Sequence, residues 1–188
     1  MNKAYIFLAD GFEDVEAIGT ADALRRGGVD VEMVSISEDP FVTSSHGIGI
    51  GVDSTLEMGI DIDKSDAMIF PGGMPGTKRL AACKPLVEAM KDHYEDGGLV
   101  AAICAAPGLV LGQLDSFEGV EFTCFDSFEE VPCSKGGKFV KKPAVTSGNL
   151  ITGRSAGHAF AFGLEILKYM KGEEAAAKVE YSLMLTVE

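Results

Sequence analysis

The stretch "GGLVAAICAAPGLVLGQL", residues 97–114, changes its hydrophobic pattern at a single cysteine. Up to that point "LVAAIC" (99–104) is a continuous apolar run, of the kind a strand buried on both faces presents. Beyond it, "APGLVLGQLDSF" reads as a helix, with Pro107 tolerated in the first turn because its missing N–H has no intrahelical partner there. A strand that passes directly into a helix pushes the side chain at the turn up out of the sheet. This is the geometry of a nucleophile elbow, usually written G-x-S-x-G, whose flanking residues must be small because strand and helix pass close together. The five residues here are Ala102, Ile103, Cys104, Ala105 and Ala106, so alanines stand where glycines are usual. A free cysteine is commonly a small buried hydrophobe. The elbow context gives Cys104 a more active part, and a helix starting beside it favours thiolate over thiol.

The same alternation extends along the chain. "KAYIFLA" (3–9) reads as a buried strand, and "DVEAIGTADALRRGG" as a helix with Val15, Ile18, Ala21 and Leu24 along one side and a Gly-Gly stop. "VDVEMVSIS" (29–37) is a second strand, and "FVTSSHGIGIGVDSTLEM" predicts irregular or edge strands. "DAMIFPGG" (66–73) is a buried strand ending in glycines. "GTKRLAACKPLVEAMKDHYEDGG" is a helix broken near Pro85. "VEFTCF" is a further strand, and "GKFVKKPAVTSGNLITGR" holds two short strands around a Ser-Gly-Asn turn. "SAGHAFAFGLEILKYMKGEEAAAKVEYSLML" closes the chain as two helices divided at Gly172. Strand–helix alternation of this kind implies an α/β fold: a doubly wound, mainly parallel sheet with helices on both faces. Ligands then bind beyond the carboxyl ends of the strands, where "FPGG" and "AAIC" lie.

The 188 residues suit one domain, 1–188, with a substantial core, and no repeat, linker or low-complexity segment divides them. A formal net charge of −13 argues against nucleic acid and anionic membranes as partners. "MNKAYIFLADGFED" makes a poor secretory signal, because acidic residues stand where a small-residue cleavage site belongs. The cysteines at 83, 104, 124 and 133 form no C-x-x-C pair and no Cys/His cluster at zinc spacing. Free thiols in a reducing cytoplasm are expected, and no metal.

A reactive thiol needs a group to manage its proton. "GFEDVEAIG" offers Glu13, Asp14 and Glu16 beyond the end of the first strand, and spacing does not choose among them. A carboxylate close to a thiolate would be repelled, so the pair should share one proton. "PGGMPG" supplies Gly72 and Gly73, whose backbone N–H groups could bind an oxyanion beside the sulfur. Of the histidines, His93 in "KDHYEDGG" is expected at the surface, His158 in packing or capping, and His46 in "SSHGIG" within reach of the site loops. "GIGIG" lacks the G-x-G-x-x-G spacing and the following helix of a dinucleotide site.

At "AAICAAP", "FPGG" and "ADGFEDVEAIGTADALRRGG" the chain resembles the ThiJ/PfpI superfamily, and within it the Parkinson-disease-associated deglycase branch with its bacterial chaperone-like members. The likeness runs on through "LITGRSAGHAFAFGLEIL" to the last helix. It implies one flavodoxin-like domain that forms a homodimer, with Cys104 as the oxidation-sensitive nucleophile. Glu16 matches the protonated glutamate that bonds the cysteine, and Gly73 and Ala105 match the oxyanion donors. The activities it implies are a glutathione-independent glyoxalase making lactate from methylglyoxal, and a protein deglycase, neither with a cofactor. The alternative is a redox-sensing chaperone whose cysteine oxidises to sulfinate, so the implied partners are small aldehydes or glycated and misfolded proteins. His46 stands where some relatives have an arginine, and with Arg154 it is a candidate for the substrate site or dimer contact. The first helix and the "VEYSLMLTVE" tail could also enter an interface. Two departures count: Ala105 replaces the histidine of the protease-like branch, which argues against a peptidase, and Phe125 stands where several relatives have a histidine.

Overall fold

The computed structural model describes residues 3–59 and 61–186. In chain order it runs β1 (Lys3–Leu8), α1 (Asp14–Arg26), β2 (Asp30–Ser35), β3 (Phe41–Thr43), β4 (Gly49–Gly51), β5 (Ser54–Thr55), β6 (Ala67–Phe70), α2 (Gly76–Ala82) and α3 (Lys84–Glu95). There follow β7 (Leu99–Ile103), α4 (Ala106–Leu109), β8 (Glu121–Phe122), α5 (Glu130–Ser134), β9 (Lys138–Phe139), β10 (Ala144–Ser147), β11 (Leu150–Gly153), α6 (Ala159–Lys171) and α7 (Glu173–Ser182). Seven strands form one sheet in the order β10-β11-β7-β6-β1-β2-β5, parallel throughout except for the β10–β11 hairpin. The fold is the doubly wound α/β sandwich that the alternation predicts.

Alternate residues of a strand face opposite sides of a sheet, and here both sides are covered. Ala4, Ile6 and Leu8 of β1 pack with Ala17, Ala21 and Leu24 of α1 and with Phe162 and Ile166 of α6. Tyr5 and Phe7 turn the other way, toward Leu80 of α2, Leu86 and Met90 of α3, and Ala106 of α4. The chain leaves β1 outward to β2 and β5, then returns to place β6 on the opposite side of β1. That reversal opens a crevice at the carboxyl ends of β1 and β6, with β7 next in line.

Several expectations need correction. Val15 and Ile18 are 48% and 42% exposed, and only Ala21 and Leu24 of that stripe are buried. The inward face of α1 joins these two to Glu16, Ala17, Thr20 and Ala23. The helix after Cys104 ends at Leu109, and Leu111–Gln113 form a separate 3-10 turn. "VEFTCF" yields the two-residue β8, which pairs with β9 away from the main sheet. Its continuation bonds elsewhere, Thr123 N–H to Thr152 Oγ1 and Phe125 N–H to the Cys104 carbonyl. His93 is buried, its Nε2 3.1 Å from the Asp66 carbonyl. Gly98 makes that room, since a Cβ there would lie 2.3 Å from the imidazole. Among the described residues all four cysteines are free, and Cys133 lies within α5. Of the C-terminal tail, Tyr181 and Met184 are strongly exposed, while residues 187–188 lie outside the described residues. Among the described residues no helix is long and apolar enough to cross a membrane.

Candidate active site

Three strand ends converge on one sulfur. At the end of β7, Cys104 adopts a φ of 66°, a left-handed conformation that costs a non-glycine residue about 1–3 kcal/mol. Register places β6 directly beside β7, with Phe70 opposite Ala102, and β1 beside β6, with Ile6 opposite Ile69. The Pro71–Gly73 loop and the first loop therefore flank Cys104. They are also joined to each other, because Glu13 N–H donates to the Gly72 carbonyl (2.9 Å).

Glu16 is the carboxylate that the fold delivers. It sits in the first turn of α1, and the Glu13 side chain caps that turn by accepting the Glu16 N–H (2.8 Å). Asp14, at the start of the helix, points to the hairpin between β3 and β4, where His46 Nδ1 bonds its Oδ2. Glu16 is 1% exposed, and its Oε2 accepts the Gly72 N–H at 2.7 Å, while Oε1 is buried with no hydrogen-bond partner among the described residues. The carboxyl lies alongside Cys104, and the backbone amides of Ala105 and Gly73 lie near enough to favour the charged sulfur. There is no spare volume. A Cβ on Gly72 would stand 2.6 Å from both Glu16 Oε2 and Cys104 Cβ, and 3.0 Å from Sγ. Gly73, at φ 90°, lies hard against the first loop, where a Cβ would meet Glu13 N at 2.3 Å.

Burial dominates the electrostatics. It pushes Glu16 from its ordinary 4.5 up to about 7, against the Gly72 amide and the Cys104 thiol, which favour the charged form. Burial, followed by the charge of Glu16, pushes the Cys104 thiol up to about 12, against the Ala105 and Gly73 amides. A thiolate maintained by the following helix is therefore not what the fold provides. Four residues of α4 give that helix little dipole. What it provides is a buried pair that holds one proton between two groups.

The other expected residues are distributed as follows. The Gly72 N–H is taken up by Glu16, which leaves Gly73 and Ala105 as the donors at the sulfur. His46 is exposed and bonded to Asp14, with the hydrogen bond to that carboxylate raising its pKa. Glu13, Asp14 and His46 gather ligand atoms within 4.8 Å of one another, but a Glu13 oxygen caps α1 and an Asp14 oxygen holds His46. Arg154 is committed to Asp126 Oδ1 (2.7 Å) and the Cys124 carbonyl (3.2 Å), its guanidinium 5.7 Å from the Phe139 ring centre. Sequence reading gave no role to Phe128, whose backbone carbonyl and Cβ abut Gly108 of the elbow helix. The signal was its spacing of three from Phe125.

A profile of the DJ-1/PfpI family matches residues 2–169. The chain belongs to the DJ-1/PfpI family. It is similar to Protein DJ-1 homolog B of Arabidopsis thaliana, 35% identical over 187 residues, which cover 97% of this chain and 41% of that protein. The chain thus spans less than half of that relative's length. It is also similar to the glutathione-independent glyoxalase DJR-1.2 of Caenorhabditis elegans, 35% identical over 86% of this chain and 84% of the relative. Among solved structures, a DJ-1 superfamily protein of Salmonella typhimurium, crystallised as a cysteine-to-alanine mutant, superposes with a TM-score of 0.87. The two are 34% identical, with full coverage of both chains. Membership of this family agrees with the resemblance carried by "AAICAAP", "FPGG" and the first helix.

Proposed function

We propose that this DJ-1/PfpI protein is a glyoxalase-type enzyme that converts α-oxoaldehydes to 2-hydroxy acids through Cys104. The observation that carries the reading is the buried Glu16 carboxyl, fixed by Gly72 and placed beside the elbow sulfur. With the proton on Glu16, the sulfur is anionic and adds to the aldehyde carbon of R–CO–CHO, whose oxygen takes a proton to give a hemithioacetal. The hydrogen on that carbon is removed as a proton and returned to the adjacent carbonyl carbon through an enediol. A thioester, R–CH(OH)–CO–S–Cys104, is left. Water hydrolyses it to the hydroxy acid and restores the thiol, so the sum is aldehyde plus water, with no net oxidation or reduction. A carboxyl titrating at about 7 can take and return protons at neutral pH. The Gly73 and Ala105 amides oppose the charge that develops on oxygen. The name of the C. elegans relative supports this substrate class.

With a hemiaminal of the aldehyde and a protein amine, formation of the C–S bond with cleavage of the C–N bond and departure of the protonated amine would give the same hemithioacetal and extend the activity to deglycation. The proposal also includes a cytoplasmic homodimer, in which the exposed Val15 and Ile18 of α1 find cover. Purified protein supplied with methylglyoxal and no glutathione should form lactate. Cys104→Ser and Glu16→Gln should each reduce kcat/KM at least about a hundredfold. Full activity in either variant would overturn the mechanism.

A further inference from the structure

We propose that Phe125 and Phe128 form an apolar wall beside Cys104 that selects α-oxoaldehydes carrying an aromatic or bulky alkyl group over methylglyoxal. This rests on the glyoxalase-type reading and specifies its substrate. The loops after β1 and β6 and the start of α4 supply backbone amides and one carboxyl to the sulfur. The segment after β8 supplies aromatic surface. The Phe125 N–H donates to the Cys104 carbonyl at 2.8 Å, so this segment is joined to the nucleophile's own peptide group. One helical turn further along the elbow, the Phe128 backbone and Cβ abut Gly108, where a Cβ would stand 2.1 Å from the Phe128 carbonyl oxygen.

Between those two anchors the chain closes a turn, Phe128 N–H bonding the Phe125 carbonyl at 3.2 Å. The two rings pack edge to face, centres 6.4 Å apart at 66°. Phe125 nevertheless remains 49% exposed. A preformed aromatic pair, half exposed at Phe125 and tied by its backbone to the Cys104 carbonyl, loses little freedom on receiving a flat or branched apolar group. A substituent carboxylate would gain little here, because the neighbouring cation, Arg154, is already paired with Asp126 and the Cys124 carbonyl. The chemistry of the step is unchanged; only R differs.

The test compares kcat/KM for phenylglyoxal and methylglyoxal, each divided by its rate with a free small thiol to remove intrinsic reactivity. Wild type should favour phenylglyoxal by about tenfold or more. Phe125→Ala should cut that preference by about tenfold, chiefly through KM, and Phe125→Leu should keep an intermediate preference. Melting temperatures of both variants close to wild type would attribute the change to the wall, as expected for an exposed position. A wild-type enzyme that turns over both aldehydes with a ratio unmoved by Phe125→Ala would overturn the wall alone. A wild type that consumes neither aldehyde would overturn the glyoxalase reading and this inference together.

Discussion

Glu16 enters the folded state carrying a proton that the unfolded chain gives up. Unfolded, it titrates at its ordinary 4.5; folded, burial raises it to about 7. Between these values the native state binds more protons than the unfolded state, so its stability is full below the window and falls as pH rises through it. The loss amounts to about 3 kcal/mol. Glu16→Gln keeps an acceptor for the Gly72 N–H and removes the titration. In urea unfolding the variant should therefore gain on wild type by up to about 3 kcal/mol between about pH 5 and about pH 8. An unchanged difference between the two pH values would contradict the burial assigned to this carboxyl. Gly72 is the complementary case. A methyl group there would meet Glu16 Oε2 and Cys104 Cβ at 2.6 Å, so one of them must move. Steady-state assays of Gly72→Ala should show activity down about a hundredfold, a typical cost of displacing a reacting group by about an ångström. At this scale Cys104 was legible, because alanines on both sides of a cysteine at a strand end mark a turn where strand and helix pass close together. Glu16 was legible only as one of three acids. What selects it is the Glu13 cap, which sets the phase of α1 so that Asp14 reaches His46 and Glu16 turns inward.

Helix α1 shows why an apolar stripe alone is an uncertain guide to burial. Val15 and Ile18 stand on the outward face, while small residues, Ala17, Ala21 and Ala23, let the helix lie close to the sheet and to α6. Two adjacent exposed branched residues on a helix otherwise tightly packed suit an interface between copies. For the proposed homodimer, Ile18→Glu should convert dimer into monomer in light scattering coupled to size exclusion, with far-UV circular dichroism unchanged. An unaltered mass would place the contact elsewhere. The elbow helix was overread for a different reason. Gly108, Val110 and Gly112 are poor helix formers, and the chain turns after Leu109 into a 3-10 turn. Likewise β8 stops after two residues because the following amides bond Thr152 and Cys104 instead of a neighbouring strand. His93 was misplaced by its acidic sequence neighbours, since the space that buries it is left by Gly98, outside its helix.

At the scale of the whole molecule, the order β7-β6-β1 turns three distant segments into one site. Alternating buried strands and helices announced the parallel sheet in the sequence, and parallel crossovers leave strand ends on one edge, but the order itself is read from the fold. The balance of charge at the site was not legible in this way. It depends on how thoroughly the surrounding loops exclude water from two acidic groups, which no spacing rule reports. The central claim is that Cys104 and Glu16 form one unit holding a single proton between about pH 7 and about pH 12. Its most direct test is the rate of Cys104 alkylation against pH, followed by intact mass in wild type and in Glu16→Gln. The wild-type rate should rise once near 7 to a plateau and again only toward about 12, whereas the variant, which keeps the burial but loses the Glu16 charge, should show a single step below 12. One identical step in both proteins would contradict the claim, since it would mean that the thiol titrates without reference to its neighbour.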